Sequence, residues 1–351
     1  MQPDWKHVLS HNVQTSQKAT AISVLLKPVV AIILAAGAVL GLGIDELAVA
    51  QDYPSRPIRL IVPYPPGGGT DIAARWIADK LSAQFNEKVF VDNRAGANGN
   101  LGTDFIAKST PDGYVIGMAT PGPVTVGRNL YADLPYDPKK DLTPIILANE
   151  SPIVLVVNSK SPVKSLKELV ASAKSGSGKL SAALVSTGSV PHLVTEMLKL
   201  SAGIDILDVP YKGGAPAMLD VINGQVDMLF SVLPLVLPNI QAGQLRALVI
   251  AGKTRSSLIP DVPTTAEDGY SDVVGSAWNG VVAPAGTPQA IVDKLNSKIS
   301  QVLATQDTKQ RFIELGMQSV GGTPQDFAQY LQAESEKWAA VISAAHLQAP
   351  Q

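Results

Sequence analysis

Residues Ile58–Phe85 read IRLIVPYPPGGGTDIAARWIADKLSAQF, and the order of residue types in this stretch decides the fold. Ile58–Val62 is a short run rich in branched apolar residues, which reads as a buried strand. Pro63, Pro65 and Pro66 cannot continue a central strand. Gly67, Gly68 and Gly69 then remove every Cβ from the loop. Thr70 or Asp71 is the expected N-cap of a helix whose apolar residues Ile72, Trp76, Ile77, Leu81 and Phe85 recur at helical spacing. A strand, a bare-backbone loop and a helix start follow one another. Free N–H groups and the positive end of a helix dipole therefore face whatever occupies the loop. An anion suits that place. The bland alternative is a tight βα turn whose glycines only let the chain bend.

The missing residues narrow the kind of anion. No Gly-Lys-Ser/Thr ending follows the glycines, so the loop is not a Walker phosphate cradle. Ile72 stands where a dinucleotide fingerprint needs a third small residue. No Lys or Arg lies between Arg59 and Arg75. Backbone donors alone suit a carboxylate better than a polyphosphate.

Outside this stretch, 351 residues suffice for two domains with real cores. A net charge of −2 creates no field for nucleic acid or anionic lipid. With aromatic residues at 5%, a sugar- or base-stacking surface is not expected. The chain has no cysteine, which removes disulfides, thiolate nucleophiles, Cys-ligated zinc and a lipidated N-terminal cysteine. Pro28–Gly43 is an apolar run short of the roughly 20 residues that a membrane span needs. Ala48-Val49-Ala50 then supplies a small-x-small cleavage motif before Gln51. Residues 1–50 are therefore expected to be a signal peptide cleaved after Ala50, with an uncleaved anchor as the alternative. Either places the body outside the cytoplasmic membrane.

Along the body, strands and helices alternate at the spacing of parallel α/β units. Strands are expected at Lys88–Val91, Tyr114–Ala119, Ile153–Val157, Lys179–Leu184, Ile206–Val209, Gln225–Phe230, Leu245–Ala251 and Trp278–Ala283. Helices are expected at Thr103–Lys108, Ser165–Ala173, Val190–Ser201 and Ala215–Ile222. The linker Ser175-Gly176-Ser177-Gly178 precedes the second half. Two helices close the chain, one opened by Thr287-Pro288 and the other by Thr323-Pro324. Ser186–Ser189 repeats the opening pattern of a small-residue loop before a helix.

The stretch VPYPPGGGTD resembles the first-loop signature of the Bug family, the solute receptors of tripartite tricarboxylate transporters. Further matches follow in the family's order: Val91-Asp92-Asn93-Arg94 with Gly96, Gly99 and Gly102; Pro111-Asp112-Gly113-Tyr114; Val209-Pro210-Tyr211-Lys212-Gly213; Gly224-Gln225-Val226-Asp227; Pro260–Thr264; and Ala283–Pro288. The resemblance runs from about Tyr53 to the last helix. It implies an α/β, two-domain periplasmic-binding-protein type II fold, each domain a mainly parallel sheet flanked by helices, with the ligand cleft between them. Chain crossings at Ile153–Val157 and Trp278–Ala283 would make domain 1 discontinuous (51–152 plus 276–351) and domain 2 continuous (153–275). It also implies a periplasmic receptor for a small carboxylate, with integral membrane transporter subunits as partners. A monomer is expected, with no cofactor and no metal.

Gly188-Ser189-Val190-Pro191-His192-Leu193 matches the family's second small-residue loop, although Ser186 stands where relatives usually carry a glycine. The resemblance has Ser186, Thr187, Gly188 and Ser189 holding the far end of the solute. His192 is expected to serve that loop structurally, by donating into it, more than to touch solute. In the first loop Gly67, Gly68, Gly69 and Thr70 supply donors, and Tyr64 is a wall or a packed tyrosine. Asp71 is a cap, or a partner for a hydroxyl or ammonium on the solute. Thr120 and Tyr211 follow strand ends and can face the cleft. A side chain at Gly68 or Gly188 should then invade the cleft without harming the fold.

Catalysis has little footing. His7, His11 and His346 lie near the termini, and no nucleophile elbow or His-Glu-x-x-His spacing occurs. The remaining alternatives are an exported sensory receptor that docks on a signalling protein, and a two-carboxylate hydrolase.

Overall fold

The computed structural model describes residues 53–131, 133–176 and 180–348. The leader, its cleavage motif and part of the Ser175–Gly178 linker lie outside the described residues. Strand β1 is Ile58–Val62, followed by helix α1 (Gly69–Phe85). Then come β2 (Val89–Asn93), α2 (Asn100–Ala107) and β3 (Val115–Ala119). After a π-helical turn at Gly122–Val126 and two single-turn helices, the chain enters the long strand β4, Leu142–Asn158. The second half holds α3 (Leu166–Ser175), β5 (Ser181–Val185), α4 (Val190–Ala202), β6 (Leu207–Tyr211) and α5 (Gly214–Ile222). It continues with β7 (Met228–Val232), α6 (Leu233–Gln241) and β8 (Leu245–Ile250). Strand β9 (Ser276–Pro284) returns the chain to α7 (Gln289–Ala304), α8 (Gln306–Glu314), β10 (Gln318–Gly321) and α9 (Pro324–Ala344).

The sheet runs β2-β1-β3-β9-β4-β7-β5-β6, with β10 and β8 also paired to β4. It is mixed. A parallel trio stands at each end, β2-β1-β3 and β7-β5-β6. The returning and crossing strands between them are antiparallel. Residues Ile153–Val157, expected as a separate strand, are the last third of β4. Its earlier part, Leu142–Pro152, pairs with β9, and Ile153–Val157 pairs with β7. Register shifts in the β4–β9 ladder between Pro144 and Ile146 and between Leu147 and Asn149 let Pro144 sit inside a strand.

Side chains at the end of β4 alternate between two faces, as strand geometry requires, and both faces are buried. Ile153, Leu155 and Val157 join a core with α4 residues Leu193, Val194 and Leu198. Val154 and Val156 face the opposite way, toward Ala217, Val221 and Val236 of α5 and α6. Helix α9 serves both halves. Phe327 packs with Ile61, Ile106 and Trp278 in the first half, whereas Trp338 and Ile342 belong to the core of the second. The described residues from Pro54 onward accordingly hold together as one compact unit.

Three details depart from expectation. Helix α1 is N-capped by Gly68, not by Thr70 or Asp71. Helix α7 begins after Pro288, and the Thr287 hydroxyl donates back to the Pro284 carbonyl at 2.7 Å, so it does not cap. Thr323 caps α9 as expected, in a full capping box with Asp326. Helices α6 and α8 were not expected. Pro234 and Pro238 mask the first, although Pro234 falls in the first turn, where its missing N–H costs nothing.

Candidate functional site

A cavity of about 880 Å³ opens where the loops after β1 and β3 meet α4 and α6 of the second half. Its floor is the start of α1. Gly67 takes φ +89, and its N–H donates to Asp71 Oδ2 at 2.9 Å. That carboxylate also accepts from Arg75 Nε at 2.9 Å and Asn93 Nδ2 at 2.8 Å. Asp71 is only 2% exposed, and burial pushes its carboxyl up. The hydrogen bonds from Arg75, Gly67 and Asn93 outweigh burial and hold it below the usual carboxylate range. Asp71 therefore shapes the loop, and its oxygens are taken up there. Gly68 caps the helix with no side chain folded over its end. The first-turn N–H groups, with the positive helix end behind them, are presented where Gly68, Gly69 and Thr70 line the cavity.

Neutral donors surround that floor. The hydroxyls of Tyr64 and Thr120 lie 3.0 Å apart. Burial pushes the Tyr64 phenol above its ordinary pKa, and it stays a neutral hydroxyl. Thr70 Oγ1 donates to Asn279 Oδ1 at 2.7 Å, and Asn279 Nδ2 donates to Asn149 Oδ1 at 2.8 Å. This chain ties the first turn of α1 to β9 and β4. Asn98, Ser151, Ser189, Gln241 and Glu314 also belong to the polar lining.

The second loop is built differently from the first. Ser186 N–H donates to the Tyr211 carbonyl, and Ser189 N–H to the Ser186 carbonyl. Gly188 N–H donates to His192 Nδ1 at 3.0 Å. Ser189 Oγ accepts from His192 N–H as the N-cap of α4 and donates to the Val185 carbonyl. The Ser186 N–H is thus spent on β6 and those of Gly188 and Ser189 within the loop and the start of α4, while Ser189 reaches the cavity together with Val190 and Pro191 of α4. Gly188 is buried at φ +76, and a Cβ there would stand 2.3 Å from Leu130 Cδ2. The expectation that a side chain is harmless at this glycine is corrected. His192 accepts from the loop, the reverse of the expected donation. It is 4% exposed, and burial pulls its pKa down, so the neutral ring carries its proton on Nε2.

Of the residues singled out from sequence, the structure brings Tyr64, Gly67, Gly68, Gly69, Thr70, Thr120 and Ser189 to the cavity. Asp71, Ser186, Thr187, Gly188 and His192 stand behind that surface or away from it. Tyr211 is turned elsewhere, its hydroxyl 2.6 Å from Asp220 Oδ2, and burial pushes its pKa up to about 12. Sequence reasoning missed Asn98, Ser151 and Asn279, and the apolar wall made by α6 with Leu315 and Met317. Asn98, at φ +53 inside the quoted Gly96–Gly99 stretch, carried a usable signal. Among the described residues no group of three or more His, Asp or Glu side chains is placed to hold a metal ion.

Comparison with known proteins places this geometry. Residues 73–347 match TctC, the tripartite tricarboxylate transporter family receptor. The chain belongs to the TctC family. Protein BugT of Bordetella pertussis is 40% identical over 301 residues, 86% of this chain and 92% of that protein. Among solved structures, R. palustris Rpa4515 with adipate superposes with a TM-score of 0.76 at 35% identity, over 85% of this chain and all of that one. MatC from Rhodopseudomonas palustris, with bound malate, gives 0.72 at 32% identity, over 83% of this chain and all of that one. TctC proteins are periplasmic receptors and not enzymes, with a two-domain α/β fold. The Bug resemblance read from the glycine loop is the same family under another name.

Proposed function

We propose that the protein captures a small carboxylate in this cavity and delivers it to integral membrane subunits of a tripartite transporter. The observation that carries the reading is the N-terminus of α1, free of any capping side chain, opening into a cavity ringed by neutral donors. Such a floor suits one oxyanion, held by oriented N–H groups and hydroxyls. The carboxylates named with Rpa4515 and MatC support the same class of solute. The reading includes a division at residues 51–152 plus 276–351 and 153–275. The cavity between these parts closes on the solute and expels water, which strengthens those hydrogen bonds. It also includes export as a monomer, with the leader removed after Ala50.

A thermal-shift screen of mono-, di- and tricarboxylates tests the capture. A ligand at about 100 times its Kd adds roughly 2.7 kcal/mol of stability. Absence of any stabilisation by every class would sink the reading. Protein recovered from the periplasmic fraction should begin at Gln51 on N-terminal sequencing, and an intact leader would contradict that part.

A further inference from the structure

We propose that Asn98 is a specificity-determining residue of the cavity, its side-chain amide donating to an oxygen of the bound solute. The inference rests on the carboxylate reading of the cavity and adds a contact to it. Gly96, Ala97, Asn98 and Gly99 carry φ +148, +46, +53 and +92, four positive values in succession. Glycine favours such angles, and among residues with side chains asparagine tolerates them better than most. Backbone held this way clusters at ligand clamps and active sites. The loop is also fixed in place. Gly99 N–H donates to the Gly96 carbonyl at 2.9 Å. A Cβ on Gly99 would stand 3.1 Å from Tyr64 Oη, so its bare backbone abuts the Tyr64 hydroxyl.

This conformation carries the amide, and not only the backbone, to the cavity. Asn98 lines it together with Tyr64, Thr120 and Gly122. A Cβ on Gly122 would lie 3.4 Å from Asn98 Nδ2 and 3.6 Å from Tyr64 Oη, so the two groups flank one point of the lining. Neighbouring polar side chains are engaged: Thr70 with Asn279, Asn279 with Asn149, and Asn93 with Asp71. Asn98 is exposed, and its amide has no hydrogen-bond partner among the described residues. The Tyr64 and Thr120 hydroxyls share one bond at 3.0 Å, which uses one of their two protons and leaves the other to donate. An ionised carboxylate only accepts, at about four lone-pair sites. Donors beyond the first-turn N–H groups of α1 therefore have oxygens to meet, and the Asn98 amide is a neutral one within the lining.

Calorimetric titration of Asn98→Gly and Asn98→Asp, beside melting curves, tests the assignment with succinate, malate, adipate, citrate and 3-phenylpropanoate as probes. Glycine keeps the left-handed backbone and removes the amide. Aspartate keeps the size and accepts the same angles, but puts a negative charge where the donor stood. Both variants should melt near the wild type. For the probe that binds the wild type most tightly, Asn98→Gly should weaken binding about tenfold, and Asn98→Asp should weaken it further. A loop that only needed a residue suited to these angles would lose nothing in either variant. Affinity of Asn98→Gly within about twofold of the wild type, or Asn98→Asp binding as tightly as Asn98→Gly, would overturn the inference and leave the carboxylate reading standing. So would a loss of affinity in Asn98→Gly matched by a large fall in melting temperature, which would make Asn98 a residue of the fold. If neither these acids nor any other carboxylate binds the wild type, the carboxylate reading falls and takes the inference with it.

Discussion

Gly68 is the N-cap of α1 and Gly188 stands one residue before the N-cap of α4, and a side chain at each has a different consequence. Gly68 has ordinary extended angles, φ −78 and ψ 167, and a Cβ there meets nothing within 4 Å. Gly68→Val should therefore melt near the wild type while losing most carboxylate binding. Gly188→Val should instead lower the melting temperature, because a branched residue tolerates φ +76 badly and must displace Leu130. Melting curves read beside calorimetry separate the two, and unchanged affinity in Gly68→Val would remove the first loop from the site. His192 gives a second test. Its pKa is depressed in the fold by burial, while Asp208 pulls it up and Lys199 pulls it down. Below the ordinary value of 6.5 the unfolded chain takes up the proton first, so unfolding is favoured as pH falls. The stability contribution is complete above pH 6.5 and is lost as pH drops toward the folded pKa. His192→Asn keeps an acceptor for Gly188 N–H and removes the titration. Urea midpoints at pH 8 and pH 5 should fall further in the wild type than in the variant, and equal falls would contradict the assignment. At this scale the sequence was legible where chemistry is local. The glycine loop and Thr120 announce themselves by following strands. Asn279 does not, because its partner Thr70 is 209 positions away. The role of Asp71 was half visible. It supports the helix start as an N-cap would, but from inside the first turn and through Gly67 N–H.

Helix α9 is the element with the most to lose, since its first half packs on one core and its second half on the other. Its capping box satisfies two orphan donors, with Thr323 N–H on Asp326 Oδ2 at 2.8 Å and Asp326 N–H on Thr323 Oγ1 at 3.1 Å. Thr323→Ala should cost about 0.5–2 kcal/mol, measured by urea unfolding. A loss below that range would mean that packing of Phe327 and Trp338 fixes the helix without the cap. The βα units were legible as elements because period and punctuation agree there. An apolar run, a glycine or Ser/Thr break and a helical repeat follow one another in β1–α1 and β5–α4. Strand β4 was read only in its last third, where five apolar residues stand together. Its first part carries Pro144, Asn149, Glu150 and Pro152, which local propensity assigns to loops and which pairing with β9 overrides. Helix α6 was hidden by its prolines. It supplies much of the apolar wall, so the same blind spot hid the chemistry of half the cavity.

Strands β4 and β9 pair with each other between the two parallel trios, so the halves with their separate cores are joined by a paired-strand seam. The resemblance anticipated these two crossings but not their length, because a ladder between residues 142–152 and 276–284 is a long-range feature. The cavity beside that seam has a further property that concerns the surroundings more than the solute. Under the proposed function its grip on an anion would come from peptide dipoles and hydroxyls fixed in the fold, for no arginine or lysine stands among the described lining residues. Dissolved ions have little to compete with there, and enclosure limits screening of what attraction exists. Raising sodium chloride from dilute buffer to several hundred millimolar should change Kd by less than about threefold. A steep decline would reveal an ion pair at the site. Outside the cytoplasmic membrane, where ionic strength follows the medium, such a receptor would take up its solute equally well in fresh and in brackish water.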